Sequence, residues 1–211
     1  MPLLTKEEER VLGALIEKKH TTPEYYPLTL NSLRSACNQK SNRDPVVTYS
    51  EEDIDIALDS LFEKKLVFKV SGAGQRVTKY NENFSNHFNF SGQQTAVMCV
   101  LMLRGAQTVG EIRGRSARIY DFQNLGEVEE TLQGLINFDS ADKLVVKLPR
   151  STGRDPRYAS VLSGEPEVKE EPELKGISAS EIDNLRDELL RLKTRLEKFQ
   201  EEFENFKKQF D

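Results

Sequence analysis

Four arginines, Arg104, Arg113, Arg115 and Arg118, fall within seventeen residues that hold a single acid, Glu111, and three more, Arg150, Arg154 and Arg157, crowd around Asp155. A guanidinium is a planar, permanently charged fork of five N–H donors. Two such runs therefore point to the gripping of phosphate or carboxylate oxygens. Residues 37–45 add Lys40 and Arg43 with the amides of Asn38, Gln39 and Asn42, and Arg34 stands just before them. These are donors to phosphate or to a partner's backbone. The alternative for this stretch is structural: Asn38 ends a helix and Asp44-Pro45 makes a turn, the aspartate pairing Arg43. For the arginine runs, the alternative is a solvated surface or pairing with Glu127, Glu129 and Glu130.

Other chemistry is poorly supplied. His20 and His87 are the only histidines, 67 positions apart and without metal-ligand spacing. Cys37 and Cys99 sit singly inside apolar helical patterns, as buried free thiols would. No nucleophile elbow, phosphate loop or dinucleotide fingerprint occurs, and Gly72-Ala73-Gly74 fits a hairpin turn better than a cofactor loop. The chain is expected to be non-enzymatic, with no metal and no cofactor.

The elements that must carry these donors follow from composition and period. A chain of 211 residues, 37% hydrophobic and 31% charged, suits one large domain or two small ones with an appendage. Its longest apolar run, residues 96–103, is too short to span a bilayer, and acids stand where a secretory signal would place its apolar segment, so a cytoplasmic protein is expected. Lys and Arg balance Asp and Glu at 21 each through residue 160, and the entire net charge of -5 resides in residues 161–211.

Residues 1–162 pass through one order of elements twice. Thr5 and Glu8 form a capping box before a helix with Val11, Leu12, Leu15 and Ile16 on one face. Leu30, Leu33 and Cys37 mark a short second helix. Ser50 and Asp53 open a third, with Ile54, Ala57, Leu58, Leu61 and Phe62 at helical spacing. The period then changes to two, and residues 66–70 and 76–80 read as a hairpin. In the second pass, Ser91, Thr108 and Asn124 cap three helices carrying Leu103, Ile112 and the set Leu125, Val128, Leu132, Leu135 and Ile136, and residues 144–148 and 158–162 form the hairpin.

After the acidic, proline-bearing stretch 164–178, the residues Ile182, Leu185, Leu189, Leu192, Leu196, Phe199, Phe203, Phe206 and Phe210 alternate steps of three and four. This is the seam of a heptad repeat. Glu181, Glu188 and Glu202 would face Arg186, Lys193 and Lys207 of a parallel partner, which favours a homodimer. The alternative is that the stripe folds back on its own chain.

Thr21-Thr22-Pro23, Tyr26-Pro27-Leu28 and the segments 36–46 and 103–113 resemble the YceH-like family of uncharacterised bacterial proteins, over residues 1 to about 162. Ala106 stands where the family places proline after Arg-Gly, which only softens a turn. The resemblance implies tandem winged helices, often with a helical tail, and carries no activity. The expected architecture is α+β and mostly α: winged-helix domains at 1–85 and 86–163, a linker at 164–178 and a coiled-coil helix at 179–211.

In such a fold the second helix and the wing approach the duplex backbone, which suits the two arginine runs. The third helices bear Glu51, Glu52, Asp53, Asp55 and Asp59, and Glu127, Glu129 and Glu130, so they are ill suited to reading bases past a wall of phosphate charge. The expected function is a DNA-associated, transcription-regulator-like dimer with weak sequence specificity and no membrane contact. The alternative is an adaptor that binds protein partners without nucleic acid.

Overall fold

The structure is a computed structural model that describes residues 3–70, 77–138, 143–149 and 155–164, with residues 166, 193 and 195. The heptad stripe from Ile182 to Phe210, the linker and the hairpin loops bearing Gly72, Gly74, Arg150 and Arg154 lie outside the described residues.

Helix α1 (Lys6–Thr21) starts where the capping box requires: the Thr5 hydroxyl accepts from the Glu8 amide at 3.2 Å and the Glu8 carboxylate from the Thr5 amide at 2.8 Å. It is followed by a 3-10 turn (Pro23–Tyr25), β1 (Leu28–Thr29), α2 (Leu30–Cys37), α3 (Glu51–Glu63) and the hairpin β2 (Val67–Val70) and β3 (Lys79–Glu82). One turn of helix, α4 (Phe84–His87), leads to the second pass: α5 (Gly92–Arg104), β4 (Gln107–Thr108), α6 (Val109–Ser116), α7 (Leu125–Ile136), β5 (Val145–Lys147) and β6 (Arg157–Ser160). The chain is thus mixed α+β, with two small antiparallel sheets ordered β1-β3-β2 and β4-β6-β5.

The registers repeat as well, Leu28 lying opposite Tyr80 and Gln107 opposite Tyr158. The first hairpin's return strand starts later than the spacing suggests, at Lys79 instead of residue 76, and the second starts at Arg157. Burial explains the first shift: Tyr80 and Glu82 both face inward, and Glu82 is held by Lys19 at 2.6 Å. β1 and β4 are two residues each, too short to leave a periodic signal.

Val11 to Ile16 are buried all round, because α1 packs against α2 and α3 as well as against α5. The two repeats share one apolar core and one compact unit, Met1–Glu167, separate from Val168–Asp211. The helices approach most closely at Gly13, where an added Cβ would lie 2.9 Å from Leu103 Cγ and 3.0 Å from Met102 Cβ. Neither atom can swing away. Gly13→Ala is therefore expected to destabilise the protein by about 1–3 kcal/mol despite a helix-propensity gain of about 1 kcal/mol, and chemical denaturation will read it. A midpoint at or above wild type would contradict this packing.

Polar clasps tie α1 to its surroundings. Lys64 donates to Glu8 at 2.7 Å, and Arg10 donates to the carbonyls of Cys37 at 3.3 Å and Pro45 at 2.7 Å. At the start of α1, the Leu4 amide donates to the Leu162 carbonyl at 2.7 Å, and the Ser163 hydroxyl donates to Glu9 at 2.6 Å.

Burial raises the Glu9 carboxyl above its ordinary value, and hydrogen bonds from Ser163 and Ser160 offset this only in part. An acid whose folded value exceeds its unfolded one binds its proton more tightly when folded. Its contribution to stability is present below the unfolded value and is lost as pH rises through the folded one. Glu9→Gln is expected to raise the thermal midpoint at pH 7 and not near pH 4. Equal shifts at both pH values would show that titration is not the cause.

Candidate functional site

Helix α5 ends at Arg104 because Gly105 turns the chain with φ 65° and ψ -146°, a conformation open essentially to glycine. The turn delivers Gln107 into β4 at the register position that Leu28 fills in the first repeat. A buried polar side chain in an apolar position needs partners, and Gln107 has three. Its amide donates to the carbonyls of Arg104 at 2.9 Å and Ala106 at 2.8 Å, and its oxygen accepts from Arg115 Nη1.

The next residues cap α6. The Thr108 hydroxyl accepts from the Glu111 amide, and the Glu111 carboxylate accepts from the Thr108 amide at 2.9 Å. That carboxylate also lies 3.4 Å from Arg115 and 3.3 Å from Arg157, whose Nη1 donates to the Ala106 carbonyl at 2.7 Å. Arg104 in turn donates to the side chain of Asn42, from the first repeat. Burial and the neighbouring Arg115 press the Arg104 guanidinium below its ordinary value, yet an arginine starts far above neutrality and stays charged.

Arg104, Arg115 and Arg157 therefore converge, and one carboxylate pairs two of them. Their side chains keep access to solvent, 34% for Arg115 and 42% for Arg157. The other expected donors divide. Arg113 donates to the carbonyls of Phe122 at 3.1 Å and Gln123 at 3.0 Å, so it pins the loop after α6. Arg118 and Lys40 are exposed and have no hydrogen bond or ion pair among the described residues. Arg34 donates to Asn31 at 3.1 Å and lies 3.6 Å from Glu51.

Arg43 is a correction. Its side chain is fully buried, and all its N–H groups are engaged by Glu17 at 2.6 and 3.1 Å, the Ala36 and Asn42 carbonyls and Gln39. It organises the loop and presents no free donor to a ligand. Its acidic partner is Glu17, not Asp44.

Among the described residues, the arginines of the second repeat do not meet the acids of α7 either. Glu127 accepts from the Gln123 amide at 3.0 Å and the Tyr120 hydroxyl at 2.8 Å, bonds that hold its carboxyl below the usual range. Glu129 and Glu130 are exposed, as are Glu51, Glu52, Asp55 and Asp59 on α3. Gln107 is not singled out by the sequence; Asn42 reads there as a donor to a ligand and here accepts from Arg104, and Glu111 reads there only as a capping acid. Gln107 left one usable signal, an amide at a position where the first repeat has a core leucine.

The arrangement offers charged donors to an oxyanion. Among the described residues no group of His, Cys, Asp and Glu could hold a metal ion. Both cysteines are buried free thiols, and burial pushes the Cys37 thiol up to about 12. No helix among the described residues is long and apolar enough to cross a membrane.

The fold and site define a class: a mixed α+β chain of two repeats in which, among the described residues, the second carries converged guanidinium groups with access to solvent. Residues 4–154 match the family described as "Protein of unknown function, DUF480", and the chain belongs to that family. A "UPF0502 protein" of Solibacter usitatus is 49% identical over 203 residues, 93% of this chain and 96% of its own. Another from Citrifermentans bemidjiense is 52% identical over 164 residues, 77% of this chain and 75% of its own. "UPF0502 protein YceH" of Escherichia fergusonii is 41% identical over 204 residues, covering 92% and 94%. The resemblance read from the motifs is borne out.

Proposed function

We propose that the chain is a non-enzymatic, DNA-associated protein that grips duplex backbone with weak sequence specificity, in the manner of a transcription regulator. The observation that carries this reading is the convergence of Arg104, Arg115 and Arg157 around Gln107, with a single carboxylate between two of them. Guanidinium forks suit phosphate oxygens, and backbone contacts give affinity without sequence information.

Each repeat, with a two-residue strand between its first two helices and a hairpin after the third, reads as a winged helix. The exposed acids of α3 and α7 weigh against insertion of those helices among bases. The heptad of residues 182–210 supports a parallel homodimer, in which weak contacts sum by avidity; light scattering of the full chain tests that state. A cytoplasmic setting fits the composition.

The test is fluorescence anisotropy with a labelled random-sequence duplex between 50 and 200 mM KCl. Three phosphate contacts predict a salt slope near -3, at about -0.9 per contact. No binding at 50 mM would overturn the reading. One observation favours an adaptor without nucleic acid: Ile56 stands 64% exposed amid the carboxylates of α3. Recovery of no stoichiometric protein partner from extract would count against that role.

A further inference from the structure

The loop that ends the first repeat's second helix is clamped at both ends. Asn38 exchanges hydrogen bonds of 2.8 Å with the Tyr49 amide and carbonyl, and the Asp44 amide donates to the Leu103 carbonyl at 2.9 Å. The Pro45 carbonyl accepts from Arg10 at 2.7 Å. Buried Arg43 fills the space beneath. What remains at the exposed tip is Lys40 and Asn42. Asn42 takes the left-handed conformation, φ 61°, that asparagine tolerates, and its side-chain oxygen meets Arg104. Lys40, two residues away, lies within about 7 Å of it along the backbone.

Among the described residues, the arginines that come together in the first repeat, Arg10 and Arg43, are buried and offer no surface cluster. By the shared strand register Lys79 occupies the place of Arg157, and the buried Ala36 that of Arg115. This loop is where the first repeat meets the arginines of the second. Around the junction the carboxylates of Glu17, Asp44 and Glu111 lie near the arginines, and Glu17 is taken up by Arg43. The three arginines are held in place by hydrogen bonds to Asn42, Gln107 and the Ala106 carbonyl, and Lys40 is exposed on the loop that carries Asn42.

We infer that the anion-binding surface is a single track crossing from the second repeat onto the first, with the loop tip at Lys40 and Asn42 extending the arginine cluster so that both repeats hold one nucleic-acid backbone. This rests on the nucleic-acid reading above. The Asn42–Arg104 contact and the hydrogen bond from the Asp44 amide to the Leu103 carbonyl join the two repeats there, so they present one contact surface and not two independent modules.

The experiment measures anisotropy of a labelled random duplex against the full-length chain and its Lys40→Gln, Arg115→Gln and Lys79→Gln variants from 50 to 200 mM KCl. Lys40 and Lys79 both retain some exposure, so the fold is kept. The track predicts that K40Q and R115Q each weaken binding three- to tenfold at 50 mM and flatten the salt slope by about 0.9, while K79Q does neither. Wild-type binding with R115Q impaired and K40Q unchanged overturns the track and leaves the nucleic-acid reading standing. Equal effects of K79Q and K40Q overturn it too, since a diffuse surface would then replace the track. No binding by wild type overturns both.

Discussion

Replacing Arg104, Arg115 and Arg157 together with glutamine is expected to weaken duplex binding by roughly 100-fold at 50 mM salt and to leave the fold intact. Each charge-assisted contact to phosphate is taken at about 1 kcal/mol, so that three sum to about 3 kcal/mol, with tenfold in affinity for every 1.4 kcal/mol. Stability changes little because the pairs of Glu111 with Arg115 and Arg157 are partly exposed, at 3.4 and 3.3 Å, and such pairs contribute about 0–1 kcal/mol. Gln107 keeps its two bonds to the Arg104 and Ala106 carbonyls without Arg115, and the Ala106 carbonyl keeps Gln107 as a donor without Arg157. The measurement is the same anisotropy titration, with a melting curve as control. Unchanged affinity and salt slope in the triple variant would remove the cluster from any role in binding.

Arg43→Ala carries the largest expected effect on stability. It leaves the Glu17 carboxylate, only 15% exposed, without its partner, and it strips the Ala36 carbonyl of its guanidinium donors. Removing one partner of a buried pair costs about 3–5 kcal/mol, since the charge left behind is desolvated and unpaired. In a folded unit of this size each kcal/mol moves the thermal midpoint by about 2–4 °C, so a fall of roughly 10 °C or more is expected. The double variant Glu17→Ala with Arg43→Ala should lose less than the sum of the singles, because no charge is stranded. A single variant melting within a degree of wild type would show that the pair is not needed.

The same two arginine sets show how far residue types alone reach. Arg43 and Arg104 both read in the sequence as donors to a ligand, one inside a polar segment and the other at the end of an apolar run. One ends fully buried against Glu17 and the other bridges the two repeats at the surface, because α1 places Glu17 under one loop and Gly105 redirects the chain after the other. Arg113 looked like a ligand donor from its spacing but closes a loop through two backbone carbonyls. Glu111, legible only as a capping residue, is also the anion that two arginines share. Apart from Glu111 and Arg115, four positions apart on one helix, little local marks such pairings, since the partners lie up to 62 positions apart.

Caps, periods and the doubled order of elements were legible because they depend on neighbours three or four positions away: a threonine or serine hydroxyl meets the amide three residues on, and apolar spacing sets the buried face. The family likeness was legible for the same reason, being carried by short motifs. Which cations face a ligand and which hold the core together was decided by tertiary structure alone. A charge's fate depends on what is packed around it: Glu17 beneath Arg43 makes a structural clasp, and water beside Arg115 and Arg157 leaves them able to meet an anion.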